Sequence, residues 1–203
     1  VNISSIFVFL PKLISVINVY CQLVLNLLNI PSSQTIANDL RELIEGEILS
    51  EDWETVMYAS DASIYEIKPR CVAIPKNKND VLKIVNYCID SNIPIIPRGG
   101  GSGLAGQAIG NGVIIDFTKY MNSILEINTE ENYVIVQPGV YKSVLDEFLK
   151  KHGKFLPPDP SSSEQCTLGG MVSTNASGPH TVKYGSMIDY VLSLDVILSN
   201  GDL

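Results

Sequence analysis

From residue 34 onward the apolar positions recur with two different periods, and the switches between them divide the chain into elements. Ile36, Leu40, Leu43/Ile44 and Ile48 fall at helical spacing with acidic residues between them, which predicts an amphipathic helix. Residues 53–68 are mixed and predict a loop-rich lead-in. The apolar run 71–74, closed by Pro75, reads as a short strand. Asn79 or Asp80 stands where a cap belongs for a helix burying Val81, Leu82, Val85, Cys88 and Ile89, and 93–96 reads as the next strand. A strand–helix–strand unit of this kind runs parallel with a right-handed crossover.

Beyond it the period shortens. Runs 113–117, 124–128 and 133–137 predict strands joined by brief polar turns. A second helix is expected over 141–152, burying Val144, Leu145, Phe148 and Leu149 and ending at Gly153. A turn-rich stretch, 156–185, leads to a further strand at 190–198. Parallel and antiparallel strands with few helices make this an α+β chain, with a small parallel-strand subdomain beside a larger mixed or antiparallel sheet. Asn200-Gly201-Asp202 after the last apolar run signals a hairpin whose second strand is missing, and the chain opens on Val1; a truncated product is expected.

Composition narrows the function. Hydrophobic residues make up 45% and charged residues 18%, which excludes disorder for most of the chain. Fourteen Lys and Arg against 22 Asp and Glu leave a formal charge of −8 and a pI near 4.7. Such a chain repels phosphate backbones, so nucleic acid is not an expected partner, and an anionic ligand must be held by local dipoles. Cys21, Cys71, Cys88 and Cys166 show no C-x-x-C spacing and the only histidines are His152 and His180, so reduced, packed thiols and no metal site are expected.

The first 33 residues are a separate apolar extension. Lys12 is the only charged residue before Asp39, and 13–30 has about the length of a membrane span. Asn18, Gln22 and Asn26 draw a polar stripe down one helical face. A peripheral or partner-binding helix, a spanning anchor and a non-native extension stay open, the abrupt change at Pro31-Ser32-Ser33 favouring the last.

The most informative segment is Arg98-Gly99-Gly100-Gly101-Ser102-Gly103-Leu104-Ala105-Gly106-Gln107. Gly101, Gly103 and Gly106 satisfy G-x-G-x-x-G after a strand, with Glu126 beyond. A dinucleotide fingerprint, however, needs a helix to start inside the motif. Here Gly110-Asn111-Gly112 and a strand follow at once. What remains is a loop with five glycines in eight residues, able to turn successive N–H groups into a concave nest around an anion, with Arg98 adding a charge. A second stretch, Pro157-Pro158-Asp159-Pro160 and then Thr167-Leu168-Gly169-Gly170-Met171-Val172-Ser173-Thr174-Asn175-Ala176-Ser177-Gly178, is stiff, glycine-bearing and rich in donors. Two such stretches suggest opposite sides of one large ligand.

Taken in order with Val136-Gln137-Pro138-Gly139-Val140 and Lys183-Tyr184-Gly185, these segments resemble the PCMH-type FAD-binding domain of the vanillyl-alcohol-oxidase/p-cresol-methylhydroxylase superfamily. Within it they are most similar to the branch holding the glycolate oxidase flavin subunit, D-lactate dehydrogenase and D-2-hydroxyglutarate dehydrogenase. Asp61-Ala62-Ser63 with Tyr65, and the Leu104 to Gln107 run, look most like members that continue into an iron–sulfur domain. The resemblance covers about residue 33 to the end and rests on the set of motifs.

It implies an FAD-binding domain over 34–203, incomplete at its C-terminus and lacking the cap that binds substrate. Arg98, Gly99, Gly100, Gly101, Ser102, Gly103 and Leu104, with Gln107, would hold the cofactor's pyrophosphate side. Pro158, Asp159, Gly169, Gly170, Thr174, Asn175 and Gly178 would line the other side of the flavin, and Tyr184 and Gly185 would close around it. Covalent members carry histidine where this chain has Ser102, so FAD is expected to be non-covalent. Many relatives carry arginine where His180 stands, which leaves the role of that position open, a surface residue included. His152 reads as structural, beside a helix C-terminus.

The implied chemistry is oxidation of a D-2-hydroxy acid of the glycolate, D-lactate or D-2-hydroxyglutarate type to its 2-oxo acid, by hydride transfer to flavin N5. The electron acceptor would be a quinone, a cytochrome, an electron-transfer flavoprotein or a downstream iron–sulfur domain. Catalytic residues are expected outside this segment, which alone would be inactive. A cytoplasmic location is expected, with membrane association through 1–30 as the variant. A non-catalytic FAD-binding module and a same-fold reductase of cell-wall precursor synthesis are the alternatives, Pro157-Pro158-Asp159-Pro160 speaking against the second.

Overall fold

The computed structural model describes residues 31–202; the readings made for residues 1–30, Cys21 among them, lie outside that range. Helix α1 (Ser33–Leu43) buries Ile36, Ala37 and Leu40. Ile48, expected on the same helix, instead sits in strand β1 (Glu47–Leu49). Gly46 ends the helical run and lets the backbone press against β2: a Cβ there would lie 2.1 Å from the Ile74 carbonyl oxygen. The lead-in holds one short helix, α2 (Asp52–Val56).

Strand β2 (Cys71–Ile74) and helix α3 (Lys78–Asp90) follow as expected, with two corrections. The cap is Asn77, whose side-chain oxygen accepts the Asp80 N–H at 3.0 Å. Asp80 is fully buried, its carboxylate accepting the N–H groups of Glu45 at 3.0 Å and Lys76 at 2.9 Å, so it joins the end of α1 to the start of α3. The buried stripe is Val81, Ile84, Val85 and Cys88. Starting the helix at Lys78 turns Ile89 out to solvent and leaves Leu82 half-buried on the flank.

Strands β3 (Ile95–Arg98) and β4 (Val113–Asp116) complete a sheet of order β1-β2-β4-β3. Both β2 and β3 pair with β4 in parallel, while β1 joins β2 antiparallel. The α3 crossover therefore spans two strand positions and β4 fills the gap. The period of two sorts the residues: Cys71, Ala73, Val113 and Ile115 pack with α1 and α3, while Val72, Ile74, Ile96 and Ile114 meet Leu49, Tyr58 and Tyr120 on the other face.

Strands β5 (Ile124–Asn128) and β6 (Tyr133–Val136) form an antiparallel pair. Among the described residues the mixed sheet is thus the larger and the antiparallel pair the smaller, because the parallel strands recruit β1. Helix α4 (Lys142–Lys150) buries Leu145 and Leu149, and these join Val140, Cys166, Leu168, Met171 and Met187 in a second core. Val144 is exposed and Phe148 only half-buried, since the apolar stripe is narrower than its composition suggests. Gly153, at φ +67°, ends the turn after α4.

The expected strand at 190–198 is absent. A 3₁₀ turn (Met187–Tyr190) precedes backbone with no ladder partner among the described residues, and Leu192, Leu194, Val196 and Leu198 are exposed. Alternation specifies a strand only where an edge is there to pair with it. Cys71, Cys88 and Cys166 are free and buried, and burial pushes the thiols of Cys71 and Cys88 up to about 12, which makes them inert packing groups. Among the described residues no helix is long and apolar enough to cross a membrane.

Candidate cofactor site

Strand β3 ends in Arg98, and residues 99–112 then run without a helix into β4, as a nest-forming loop requires and a dinucleotide fingerprint forbids. Among the described residues, no backbone hydrogen bond is donated by the N–H groups of Gly100, Gly101, Ser102 and Gly103. Gly101 adopts φ +65°, the left-handed conformation that glycine takes without strain. Four consecutive N–H donors are thus left open to a ligand, on a loop where Gly100 is exposed and Gly101 to Gly103 are half-buried. Ser102 lies within it and Leu104 stands 78% exposed at its edge.

Arg98, expected to add a charge to the loop, is engaged with the neighbouring backbone. Its guanidinium donates to the carbonyls of Ala108 at 3.1 Å, Ser60 at 2.9 Å and Tyr58 at 3.4 Å, and it sits over the Tyr58 ring at 5.3 Å. The fork braces both ends of the glycine loop against residues 58–60. That seam continues in Ala62, whose N–H reaches the Gly101 carbonyl at 3.0 Å. Asp61 accepts the N–H groups of Ser63 at 2.8 Å and Ala108 at 3.4 Å. Burial works to raise the Asp61 carboxyl pKa, but hydrogen bonds from Ser63 and Ala108 outweigh it and hold the group below the usual range. Gln107, exposed at the surface, folds back on the loop, its side-chain oxygen accepting the Ala105 N–H at 3.1 Å.

The second glycine stretch meets the first. A Cβ on Gly100 would lie 1.7 Å from the Gln165 carbonyl oxygen, and one on Gly99 would lie 2.0 Å from Thr167 Oγ1. Here the structure holds a helix that sequence reading missed, α5 (Leu168–Ser173), with the buried Thr167 as its cap. Its paired glycines disguise it, because glycine disfavours a helix interior. The N–H groups of Leu168 and Gly169 bond the Val140 carbonyl at 2.8 Å and the Pro138 carbonyl at 2.9 Å. Gly169 therefore serves close approach to Pro138, whereas a Cβ on Gly170 would meet only Thr167 Oγ1 at 3.3 Å. Thr174 Oγ1 donates to the Gly170 carbonyl at 2.9 Å and Asn175 Oδ1 accepts the Ile188 N–H at 2.9 Å, so both side chains hold the fold together at the exposed end of α5.

Beside these loops a cleft of about 360 Å³ opens among Lys142, Asp146, Phe155, Pro157, Asp159, His180 and Tyr184. Pro158, between the lining residues Pro157 and Asp159, is buried. Gly178 presses on Asp159, since a Cβ there would come within 2.0 Å of the Asp159 carbonyl oxygen. His180 Nδ1 bonds Asp159 Oδ2, and that contact, ahead of an opposing burial effect, holds the Asp159 carboxyl below the ordinary range. Short helix α6 (Thr181–Tyr184) carries the Tyr184 ring to Phe155, edge-on at 5.9 Å, and Gly185 turns the chain at φ +78°.

Lys142, 3% exposed and bonded to Asp146 at 2.6 Å, escaped the sequence reading; its i, i+4 spacing with Asp146 on a helix was the available signal. His152 follows α4 and its ring packs on Phe148 at 5.2 Å, in line with a structural role.

Known proteins are similar to this chain in sequence and in fold. The sequence model for the FAD binding domain matches residues 69–203. D-2-hydroxyglutarate dehydrogenase of Haemophilus influenzae is 40% identical over 162 residues, covering 78% of this chain and 16% of that protein. Glycolate oxidase subunit GlcD of Bacillus subtilis is 38% identical over 150 residues, covering 73% of this chain and 32% of that protein. The solved alkyldihydroxyacetonephosphate synthase superposes with a TM-score of 0.69 at 26% identity, over 77% of this chain and 34% of that one. The chain thus spans about a sixth to a third of the length of these relatives. With a matched segment that contains both glycine stretches, the cleft and the strands that carry them, the chain belongs to the FAD binding domain family.

Proposed function

We propose that this chain is the cofactor-holding part of a flavin-dependent oxidoreductase that converts a D-2-hydroxy acid into its 2-oxo acid, and that it holds FAD non-covalently. The unengaged N–H groups of Gly100 through Gly103 support this reading most directly, since they supply in an acidic chain the local positive dipoles a diphosphate needs. The side of the site away from the pyrophosphate is assigned to Pro158, Asp159, Gly169, Gly170 and Gly178, with Tyr184 and Gly185 closing around the ring. FAD supplies the redox chemistry when bound, accepting the hydride that leaves the substrate's carbinol carbon. The chain's own residues position it: Arg98 by bracing the loop, Gly99 by admitting the Thr167 side chain and Gly100 by letting two backbones touch. Ser102 occupies the cradle with a hydroxyl and offers no ring nitrogen for a covalent bond. A substrate of the glycolate, D-lactate or D-2-hydroxyglutarate class is favoured by the names of the relatives, D-2-hydroxyglutarate dehydrogenase and glycolate oxidase subunit.

The test uses the protein from its native source, loaded with FAD under anaerobic conditions. Loss of the oxidised flavin spectrum on adding D-lactate, D-2-hydroxyglutarate or glycolate, but not the L-enantiomers of the first two, is expected. Bleaching by NADPH alone would move the reading to a reductase of the same fold. A flavin spectrum that neither class of reductant changes would leave a non-catalytic FAD module.

A further inference from the structure

The proline loop 157–160 and the strap 178–185 face one another across the rim of the cleft. Among the contacts that join them, Gly178 lies against the Asp159 backbone, and His180 Nδ1 bonds Asp159 Oδ2. The first is steric and independent of conditions. The second joins an ionisable ring to a carboxylate whose other oxygen, Oδ1, is buried without a hydrogen-bond partner. The imidazole is the ionisable one of the groups that hydrogen-bond this carboxylate, beside backbone N–H groups of Asp159 and His180.

The charged and titratable groups around the pair are few. Tyr184 lies 6.4 Å from the His180 ring, and the Lys183 ammonium sits over Tyr184 at 4.8 Å. Across the cleft, α4 presents Lys142 and Asp146, already paired with each other. Of these residue types, imidazole is the one that ordinarily changes charge between about pH 5 and 8. A protonated ring donates a charge-assisted hydrogen bond to Asp159, whereas a neutral ring gives either an uncharged donor or a lone pair facing the carboxylate. The His180 ring is 65% exposed, so protons reach it freely.

We propose that His180 is a positioning residue for the cofactor, fastening the 178–185 strap to Asp159 when protonated and loosening it when neutral, so that flavin is retained more tightly below the imidazole's titration than above it. This rests on the FAD reading above, in which Tyr184 and Gly185 close around the flavin. A carboxylate ordinarily titrates well below that range, so Asp159 stays ionised through it. The hold is therefore present on the acid side of the imidazole titration and fades as pH rises through it.

The FAD-loaded chain is diluted at a series of pH values and flavin release is followed by recovery of its fluorescence. Release is expected to be about three- to tenfold slower near pH 6 than near pH 8. His180→Arg, which keeps its charge, is expected to hold the slow rate at every pH. His180→Gln is expected to show the fast rate at every pH; a wild-type slope in that variant would overturn the proposal. A merely structural role for an exposed ring predicts no such split between Arg and Gln. A chain that takes up no FAD would instead overturn the function proposed above. In that case the latch is read without flavin from amide hydrogen exchange of residues 180–185, corrected for intrinsic rates. Slower exchange in His180→Arg than in His180→Gln supports it, and identical exchange overturns it.

Discussion

Gly100→Ala is expected to pull the two halves of the site apart. The added methyl would lie 1.7 Å from the Gln165 carbonyl oxygen, which is backbone and cannot rotate away as a side chain could. Either the glycine loop lifts or the segment before α5 retreats. Overpacking of this kind costs about 3 kcal/mol, a loss of roughly 6–10 °C in Tm for a chain of this size. The larger effect falls on the cofactor, because the loop that shifts also carries the free N–H groups of Gly101, Ser102 and Gly103. FAD affinity should fall about a hundredfold or more, as cradle donors lose their alignment. Gly170→Ala supplies the contrast. Its methyl meets nothing closer than Thr167 Oγ1 at 3.3 Å, and it replaces a glycine inside a helix, so the apo chain should melt at the same temperature or slightly higher. Thermal melts of both apo variants and flavin titration of Gly100→Ala check the pair.

Arg98→Lys is expected to destabilise the chain before any ligand is added. The substitution keeps the positive charge but loses the planar fork that reaches three carbonyls at once, those of Tyr58, Ser60 and Ala108. One ammonium cannot span both ends of the glycine loop and the 58–60 segment, so about 2–3 kcal/mol of stability should be lost, read as a lower urea midpoint at unchanged m-value. FAD affinity falls as a consequence. Had Arg98 served only as a counter-charge for a diphosphate, the lysine variant would keep the stability of the apo chain, and loss of affinity would appear alone. The ordering of the two effects therefore distinguishes a brace from a ligand contact.

The same residue marks the limit of what the sequence conveys. That a strand ends at Arg98 and runs into a helix-free glycine loop is legible in local pattern, because strand period, glycine spacing and the strand that follows are all nearby. Which way the guanidinium turns depends on carbonyls of Tyr58 and Ser60 about forty residues earlier, and no local pattern encodes that. Likewise the near-continuous apolar runs at 71–74 and 113–116 reveal buried strands, while the order β1-β2-β4-β3 is a tertiary outcome.

The meeting of the two glycine stretches was foreseeable from their shared character. The helix inside the second was not, since Gly169-Gly170 argues against helix and only burial of Leu168 and Met171 overrides it. Alternation over 190–198 misled for the converse reason: the pattern is present, but no partner strand stands beside it among the described residues. Asp159 and His180, 21 residues apart, form a pair that only the contact of Gly178 with the proline loop brings about.

The central claim is that two glycine-rich stretches build one dissociable FAD site. It is tested most directly by the visible absorption spectrum of the purified chain mixed with FAD, freed of excess flavin and then precipitated with acid. The account predicts a bound flavin spectrum before precipitation and all of the yellow colour in the supernatant afterwards, since Ser102 provides no ring nitrogen for a covalent link. Colour remaining with the pellet would contradict the non-covalent site, and a folded chain that takes up no flavin would contradict the cradle itself.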